Sequence, residues 1–177
     1  MTQVPVYANP PTLVMALTLM IENLAITQLP TEVELGLDAS FILDQQPLDS
    51  TKKGAGDFLQ DPVERIAALY PLLKRHYEWF RRTQRGQIKQ YRRKARSKTE
   101  AYRWRGRSPE HVLTSGMDDY PRGPPHSGEL HLDLISWMAY FTRAMRKVAS
   151  FLNEREDEQH FEEIEAAIIN NIEGWPF

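Results

Sequence analysis

Four carboxylates gather in one stretch, SGMDDYPRGPPHSGELHLD at residues 115–133. Asp118, Asp119, Glu129 and Asp133 stand there in company with Tyr120, Arg122, His126 and His131. Asp118 and Asp119 are adjacent in a loop that follows a glycine. Like charges that close push one pKa upward, which is what a general acid needs, and Arg122 could keep the other carboxylate ionised. Paired loop acids are also commonly solvated or hold a stray cation, so residue types alone leave Asp118 as one loop acid among several. Glu129 and Asp133 are four apart where a helix is expected to begin, so both should project from one face; complementing the helix dipole is their plainer use. His126 and His131 lack zinc spacings with cysteine partners, and the acids lack the alternating rhythm of a calcium loop, so no metal site is expected.

A second cluster precedes the first. Residues 81–107 hold twelve lysines or arginines and a single acid, Glu100, with Tyr91, Tyr102 and Trp104 interleaved. Cationic grooves with stacking aromatics bind single-stranded nucleic acid, and a basic-loop binding module is the main rival reading. Against it, the charge stays within one segment and no nucleic-acid module pattern accompanies it. The formal net charge is −2 and the pI about 6.2, so there is no global pull toward polyanions. A solvated basic loop is favoured over a nucleic-acid site. Trp104 between Arg103 and Arg105 suits another use, because an aromatic face flanked by fixed donors makes a good sugar platform.

These loops need elements to hold them. At 177 residues, with 41% apolar and 26% charged side chains, the chain has the size and composition of one folded domain. Asn9, Pro10 and Pro11 read as the cap and first turn of a helix running to about Ala25. Residues 27–57 carry scattered prolines and glycines without a sustained period and read as a long loop. From Asp61 and Pro62, the positions Val63, Ile66, Ala67, Tyr70, Leu73, Tyr77 and Phe80 fall on one helical stripe, in which Pro71 should kink the rod or split it. Residues 86–128 read mainly as loop. Leu130, Leu134, Met138, Phe141, Met145, Val148 and Leu152 define another helix with Ser127 or Gly128 near its start. A last stripe, Ile164, Ala167, Ile168 and Asn171, follows an acidic first turn. No segment alternates with period two, so the fold class is all-α, and helices joined by long polar loops suit a toroid better than a short-looped bundle. There is no cysteine, and the apolar stretch at residues 13–26 is too short to span a bilayer and lacks the basic region of a secretory signal.

Read together, ANPPTL (8–13), the helix at 70–80, YRWRGR (102–107), SGMDDYPR (115–122) and ELHLD (129–133) resemble successive motifs of the processing α-glucosidase I family, glycoside hydrolase family 63. They occur in the family's order. The resemblance weakens over residues 27–57 and 86–98, which look like loop insertions. It implies that residues 1–177 are a portion of an (α/α)6 toroid catalytic domain acting in the endoplasmic reticulum. The implied reaction is an inverting hydrolysis that removes the distal α-1,2-linked glucose from the triglucosylated high-mannose N-glycan precursor of glycoproteins, with no cofactor.

By resemblance, Asp118 is the general acid, and Arg103, Trp104, Arg105, Asp119, Tyr120, Arg122, Glu129 and Asp133 bind the sugar. Met117 stands where a larger apolar residue is common, and the loop between Arg122 and Glu129 is one residue short. The family's general base is a glutamate downstream of these motifs. The chain is therefore expected to be an incomplete catalytic domain, lacking the β-domain, the membrane anchor and the far part of the toroid, inactive by itself and prone to expose apolar stripes. The remaining alternative is a non-catalytic helical interaction protein.

Overall fold

The computed structural model describes residues 8–27, 62–107, 115 and 124–174. Among them are four helices: α1 (Leu13–Thr27), α2 (Pro62–Thr83), α3 (Leu132–Phe151) and α4 (Arg155–Glu173). No strand occurs among the described residues, only an isolated antiparallel bridge between Arg85 and Tyr102, so the fold class is all-α. The loop expected at 27–57 lies, Thr27 apart, outside the described residues.

α1 begins three residues later than its prolines suggested. Pro10 and Pro11 sit in a turn ahead of it, where Val14 N–H reaches Pro11 C=O at 3.1 Å, so Asn9 is not its cap. The helix buries Val14, Leu17, Thr18 and Ile21 on one side, the i, i+3, i+4, i+7 spacing of a single face. It exposes Leu13, Met15, Leu19 and Met20 on the others.

α2 buries Ile66, Tyr70, Tyr77 and Phe80 as the stripe required, but it does not split: Pro71 lies inside one continuous helix of 22 residues. Val63 falls on the expected stripe yet is exposed.

α3 is the central element. It packs against α1, α2 and, most extensively, α4, and Leu134, Met138, Phe141, Met145 and Val148 are all buried along it. The α2, α3 and α4 surfaces meet around Tyr77, whose ring makes edge contacts with Phe141 at 5.2 Å and Phe161 at 5.3 Å. Its hydroxyl pairs with Thr142 Oγ1 at 2.8 Å. Burial raises the Tyr77 phenol well above its ordinary value.

The α3–α4 connection is short. Leu152 closes α3, Asn153 takes a left-handed conformation with φ 60°, and Glu154 N–H returns to Ala149 C=O at 2.8 Å. Asparagine is one of the few side chains that tolerate that backbone region at a helix end. The tight turn makes α3 and α4 antiparallel neighbours. Glu165 is buried on α4 because Arg143 and Arg146 of α3 donate to its two oxygens at 2.6 and 2.8 Å.

Candidate active site

The site is built where the segment 101–107 lies beside the chain that enters α3. One end of this arrangement is a backbone bridge: Gly86 N–H donates to Ala101 C=O at 2.7 Å and Arg103 N–H to Gln84 C=O at 2.8 Å. Gly86 lies close under Leu130: a Cβ there would stand 2.2 Å from the Leu130 Cδ2, so that side chain would have to move aside. On the other side, His131 N–H donates to Tyr102 C=O at 3.0 Å. The segment 101–107 is thus held between the end of α2 and the approach to α3. Gly106, with φ 88°, turns the chain between Arg105 and Arg107.

That backbone pairing explains two departures from the sequence reading. His131 is extended, with φ −115° and ψ 120°, because its N–H is spent on Tyr102. α3 therefore starts at Leu132, and Leu130 and Glu129 precede it; neither Ser127 nor Gly128 caps it. Glu129 and Asp133 do not share a helix face. They reach the same neighbourhood by different routes, Glu129 from the loop and Asp133 from the first turn of α3.

Each acid has its own partner. Asp133 Oδ2 accepts the Trp104 indole N–H at 2.8 Å. Glu129 Oε2 accepts from Arg107 Nη1 at 2.5 Å and faces His131 Nε2 at 3.5 Å. The Arg107 side chain is 1% exposed and that of Glu129 12%, so this pair is desolvated and orders the loop rather than decorating a surface. His131 Nδ1 accepts the backbone N–H of Trp104 at 2.8 Å.

Trp104 is 1% exposed. The expectation that it offers a ring face to a sugar gives way to a different role, in which its indole fixes Asp133 and its backbone fixes His131. Its flanking arginines remain nearer solvent. Arg103 Nη1 donates to His126 C=O at 2.8 Å, and Arg105 N–H donates to Gln84 Oε1 at 2.8 Å. Burial, and then the charge of Arg105, lower the Arg103 guanidinium from its ordinary value, so an electron-rich group brought to it gains.

Behind the segment 101–107 lies a buried polar anchor that the sequence reading missed. Glu100 is 2% exposed, accepts from Arg81 Nη2 at 2.8 Å, and also accepts the Tyr102 hydroxyl. Burial and then Glu100 push the Tyr102 phenol well above its ordinary value. Burial would lower the Arg81 guanidinium, but Glu100 outweighs it and holds the group above its usual value. The Asn171 amide on α4 donates to the C=O groups of Glu100 and Ser97 at 2.7 and 3.0 Å. Arg81, Arg93, Arg96, Arg103 and Arg107 each hold an acceptor within the chain. The stretch 86–98 is pinned at several points, with Tyr91 bonded to Ser127, Arg93 to Gly128 C=O and Arg96 to Asn170.

Asp133 also borders an open groove of about 380 Å³ between α1 and α3, whose other walls are Met15, Ser136, Trp137 and Tyr140. Asp118, Asp119, Tyr120 and Arg122 lie outside the described residues. Among the described residues no cluster of His, Asp or Glu could hold a metal ion, and no helix is long and apolar enough to cross a membrane. Of the remaining site residues, Arg103, Trp104, Arg105, Glu129 and Asp133 are brought into one neighbourhood, joined by His131, Arg107, Gln84 and Glu100. A signal for His131 was present in the dense constellation, but its worth depended on a backbone N–H that no spacing reveals.

The family model described as "Glycosyl hydrolase family 63 C-terminal domain" matches residues 1–174. The chain is 43% identical over 174 residues to the "Probable mannosyl-oligosaccharide glucosidase" of Schizosaccharomyces pombe, a match covering 97% of this chain and 21% of that protein. It is 39% identical over 120 residues to the "Mannosyl-oligosaccharide glucosidase" of Saccharomyces cerevisiae, covering 63% of this chain and 14% of that protein. The chain thus spans only a small part of either relative's length. The motifs, the helical fold and the match over nearly the whole chain converge: the chain belongs to glycosyl hydrolase family 63, within its C-terminal domain.

Proposed function

We propose that residues 1–177 supply the acid side of an α-glucosidase active site that cleaves the distal α-1,2-linked glucose from the triglucosylated N-glycan precursor. The carrying observation is the family match over residues 1–174, together with the desolvated cluster that joins YRWRGR to ELHLD through Trp104–Asp133 and Arg107–Glu129. The names of both yeast relatives support a mannosyl-oligosaccharide substrate.

In this reading Asp118 is protonated when substrate arrives, its pKa raised by the adjacent Asp119, and gives its proton to the glycosidic oxygen as the bond to the anomeric carbon breaks. Asp119, Tyr120 and Arg122 line the glucose pocket beside it. Arg103 and Arg105 donate to sugar hydroxyls, while Glu129 and Asp133 accept from them. Inversion needs a second carboxylate, held about 6.5–9.5 Å from the acid, to take a proton from the attacking water. Because the chain spans 21% of the fission-yeast relative, that base is assigned to the longer protein and glucose release to the whole enzyme. The assembled domain is an (α/α)6 toroid working in the endoplasmic reticulum, and the reaction needs no cofactor.

The test is Asp118→Asn in the full-length protein that carries this segment. The amide is isosteric but cannot donate an acidic proton, so release of glucose from the triglucosylated glycan should fall by about 10²–10⁴-fold with folding intact. Wild-type turnover in that variant would refute the assignment.

A further inference from the structure

We propose that Gln84 is a positioning residue of the sugar pocket: it fixes the backbone under Arg103 and Arg105 so that the Arg105 guanidinium is aimed at a sugar hydroxyl. The proposal rests on the sugar-binding role given to these two arginines above, but the geometry that motivates it stands apart from that role.

Gln84 directly follows α2, and the last turn of that helix seats it, its N–H donating to Phe80 C=O at 2.9 Å. It is 0% exposed. From that one place it receives two alternate N–H groups of the Arg-Trp-Arg run. Arg103 N–H reaches its backbone C=O and Arg105 N–H reaches its side-chain Oε1, both at 2.8 Å. The N–H between them, that of Trp104, goes instead to His131 Nδ1 at 2.8 Å. Where successive N–H groups are taken from opposite edges, successive side chains also take opposite faces. Trp104 accordingly turns into the core, while Arg103 and Arg105 stay partly exposed.

The Gln84 amide is itself oriented. Thr83 Oγ1 gives its one proton to Trp79 C=O at 2.7 Å, so toward Gln84 it is an acceptor, and it accepts from Nε2 at 3.0 Å. With Nε2 turned to Thr83, Oε1 faces the Arg105 N–H; a flipped amide would set donor against donor there. An anchor of this kind has work to do. Burial, and then the charge of Arg105, lower the Arg103 guanidinium, so the two like charges are near enough to push each other apart. A backbone fixed to the end of a helix resists that splaying and spares the ligand the cost of ordering the arginine on binding.

Two measurements on the full-length enzyme test this. The first is hydrogen exchange of the peptide covering residues 101–107, read by mass spectrometry. Gln84→Met keeps the length of the side chain and leaves the backbone bonds to Phe80 and Arg103 in place, but removes the acceptor of the Arg105 N–H. Exchange in this peptide should quicken about tenfold at one amide. Unchanged exchange there would overturn the proposal, whatever the substrate.

The second is a double-variant cycle on glucose release. Gln84→Met should raise KM about tenfold, the loss of one hydrogen bond from a charged group, with kcat within about threefold. In an Arg105→Ala background no guanidinium remains to be aimed, so the same change should add less than about twofold. Equal effects in both backgrounds would show that Gln84 supports the fold and not Arg105. That result, or wild-type KM in Gln84→Met, would overturn the proposal, while an inactive Asp118→Asn would leave the glucosidase reading standing. Full activity in Asp118→Asn would overturn the reading and, with it, the sugar role of Arg105, even with exchange as expected. Should Gln84→Met lose its helical circular dichroism, Thr83→Val carries the test, because it removes the oxygen that orients the amide. It should raise KM about threefold, and not in the Arg105→Ala background; an unchanged KM in Thr83→Val would then overturn the proposal.

Discussion

Removing the Glu100 side chain tests whether the segment 101–107 hangs from a buried ion pair. In Glu100→Ala the Arg81 guanidinium, its side chain 13% exposed, loses a carboxylate at 2.8 Å, and the Tyr102 hydroxyl loses its acceptor. An exposed pair of this kind contributes about 0–1 kcal/mol, whereas stranding one member of a buried pair costs about 3–5 kcal/mol. Arg81 can partly turn to the exposed Glu78, 3.4 Å away, which offsets some of the loss, while the orphaned phenol adds about 1–3 kcal/mol. A net loss of about 3–5 kcal/mol follows, a large share of the roughly 5–15 kcal/mol available to a domain. Equilibrium urea unfolding followed by circular dichroism measures it. Glu100→Gln keeps an acceptor for Tyr102 and should lose about half as much. The double variant Arg81→Met with Glu100→Leu removes both charges together and should regain the share due to the stranded guanidinium, though not the share due to the Tyr102 phenol, which still lacks its acceptor. A cost below about 1 kcal/mol for Glu100→Ala, or a double variant as unstable as the single, would refute the reasoning.

Two further outcomes are expected. Burial raises the carboxyls of Asp157 and Glu165, but the hydrogen bonds from Lys74 and Tyr70, and from Arg143 and Arg146, outweigh it and hold both below their ordinary values. Depressed carboxylates stabilise the fold fully above the unfolded values of about 4, and that stability is lost as pH falls through the lower folded values. Asp157→Asn and Glu165→Gln should flatten the acid limb of a plot of unfolding midpoint against pH; variants that track the wild type there would count against these pairs. On α1, Leu19 is 60% exposed beside Met20 and Met15. Leu19→Glu should lower light scattering of the concentrated chain with its helical circular dichroism unchanged; a loss of helix instead would place Leu19 in the core.

The helices were legible because burial repeats with the backbone. Tyr70, Tyr77 and Phe80 on α2, and Met138, Phe141, Met145 and Val148 on α3, point inward at the spacing that their sequence positions dictate. Pro71 failed to split α2 because one missing N–H is a local loss that the flanking turns outweigh. The site was legible in its membership and not in its wiring. Glu129 and Asp133 stood out as acids near Trp104, yet their separation by the start of α3 came from His131 pairing with Tyr102, 29 positions back. Glu100 showed only as the single acid of the basic run, and Gln84 only as a polar residue one step beyond the α2 stripe; the partners that make each of them an anchor arrive from about 20 residues away. Trp104 misled in the opposite way: flanking arginines advertise an open face, but the ring packs into the hydrophobic core and its N–H goes to Asp133.

Asn171 has a bearing on protein engineering. Its side chain receives the Ser97 N–H at 2.8 Å and donates to Ser97 and Glu100 C=O, spending three bonds on a loop more than 70 positions earlier. The residues that carry the YRWRGR motif are therefore not portable. Grafted onto another helical scaffold, they would bring their sequence but leave behind the amide on α4 that sets their height. A chimera that swaps α4 between relatives should accordingly be chosen with residue 171 kept as asparagine.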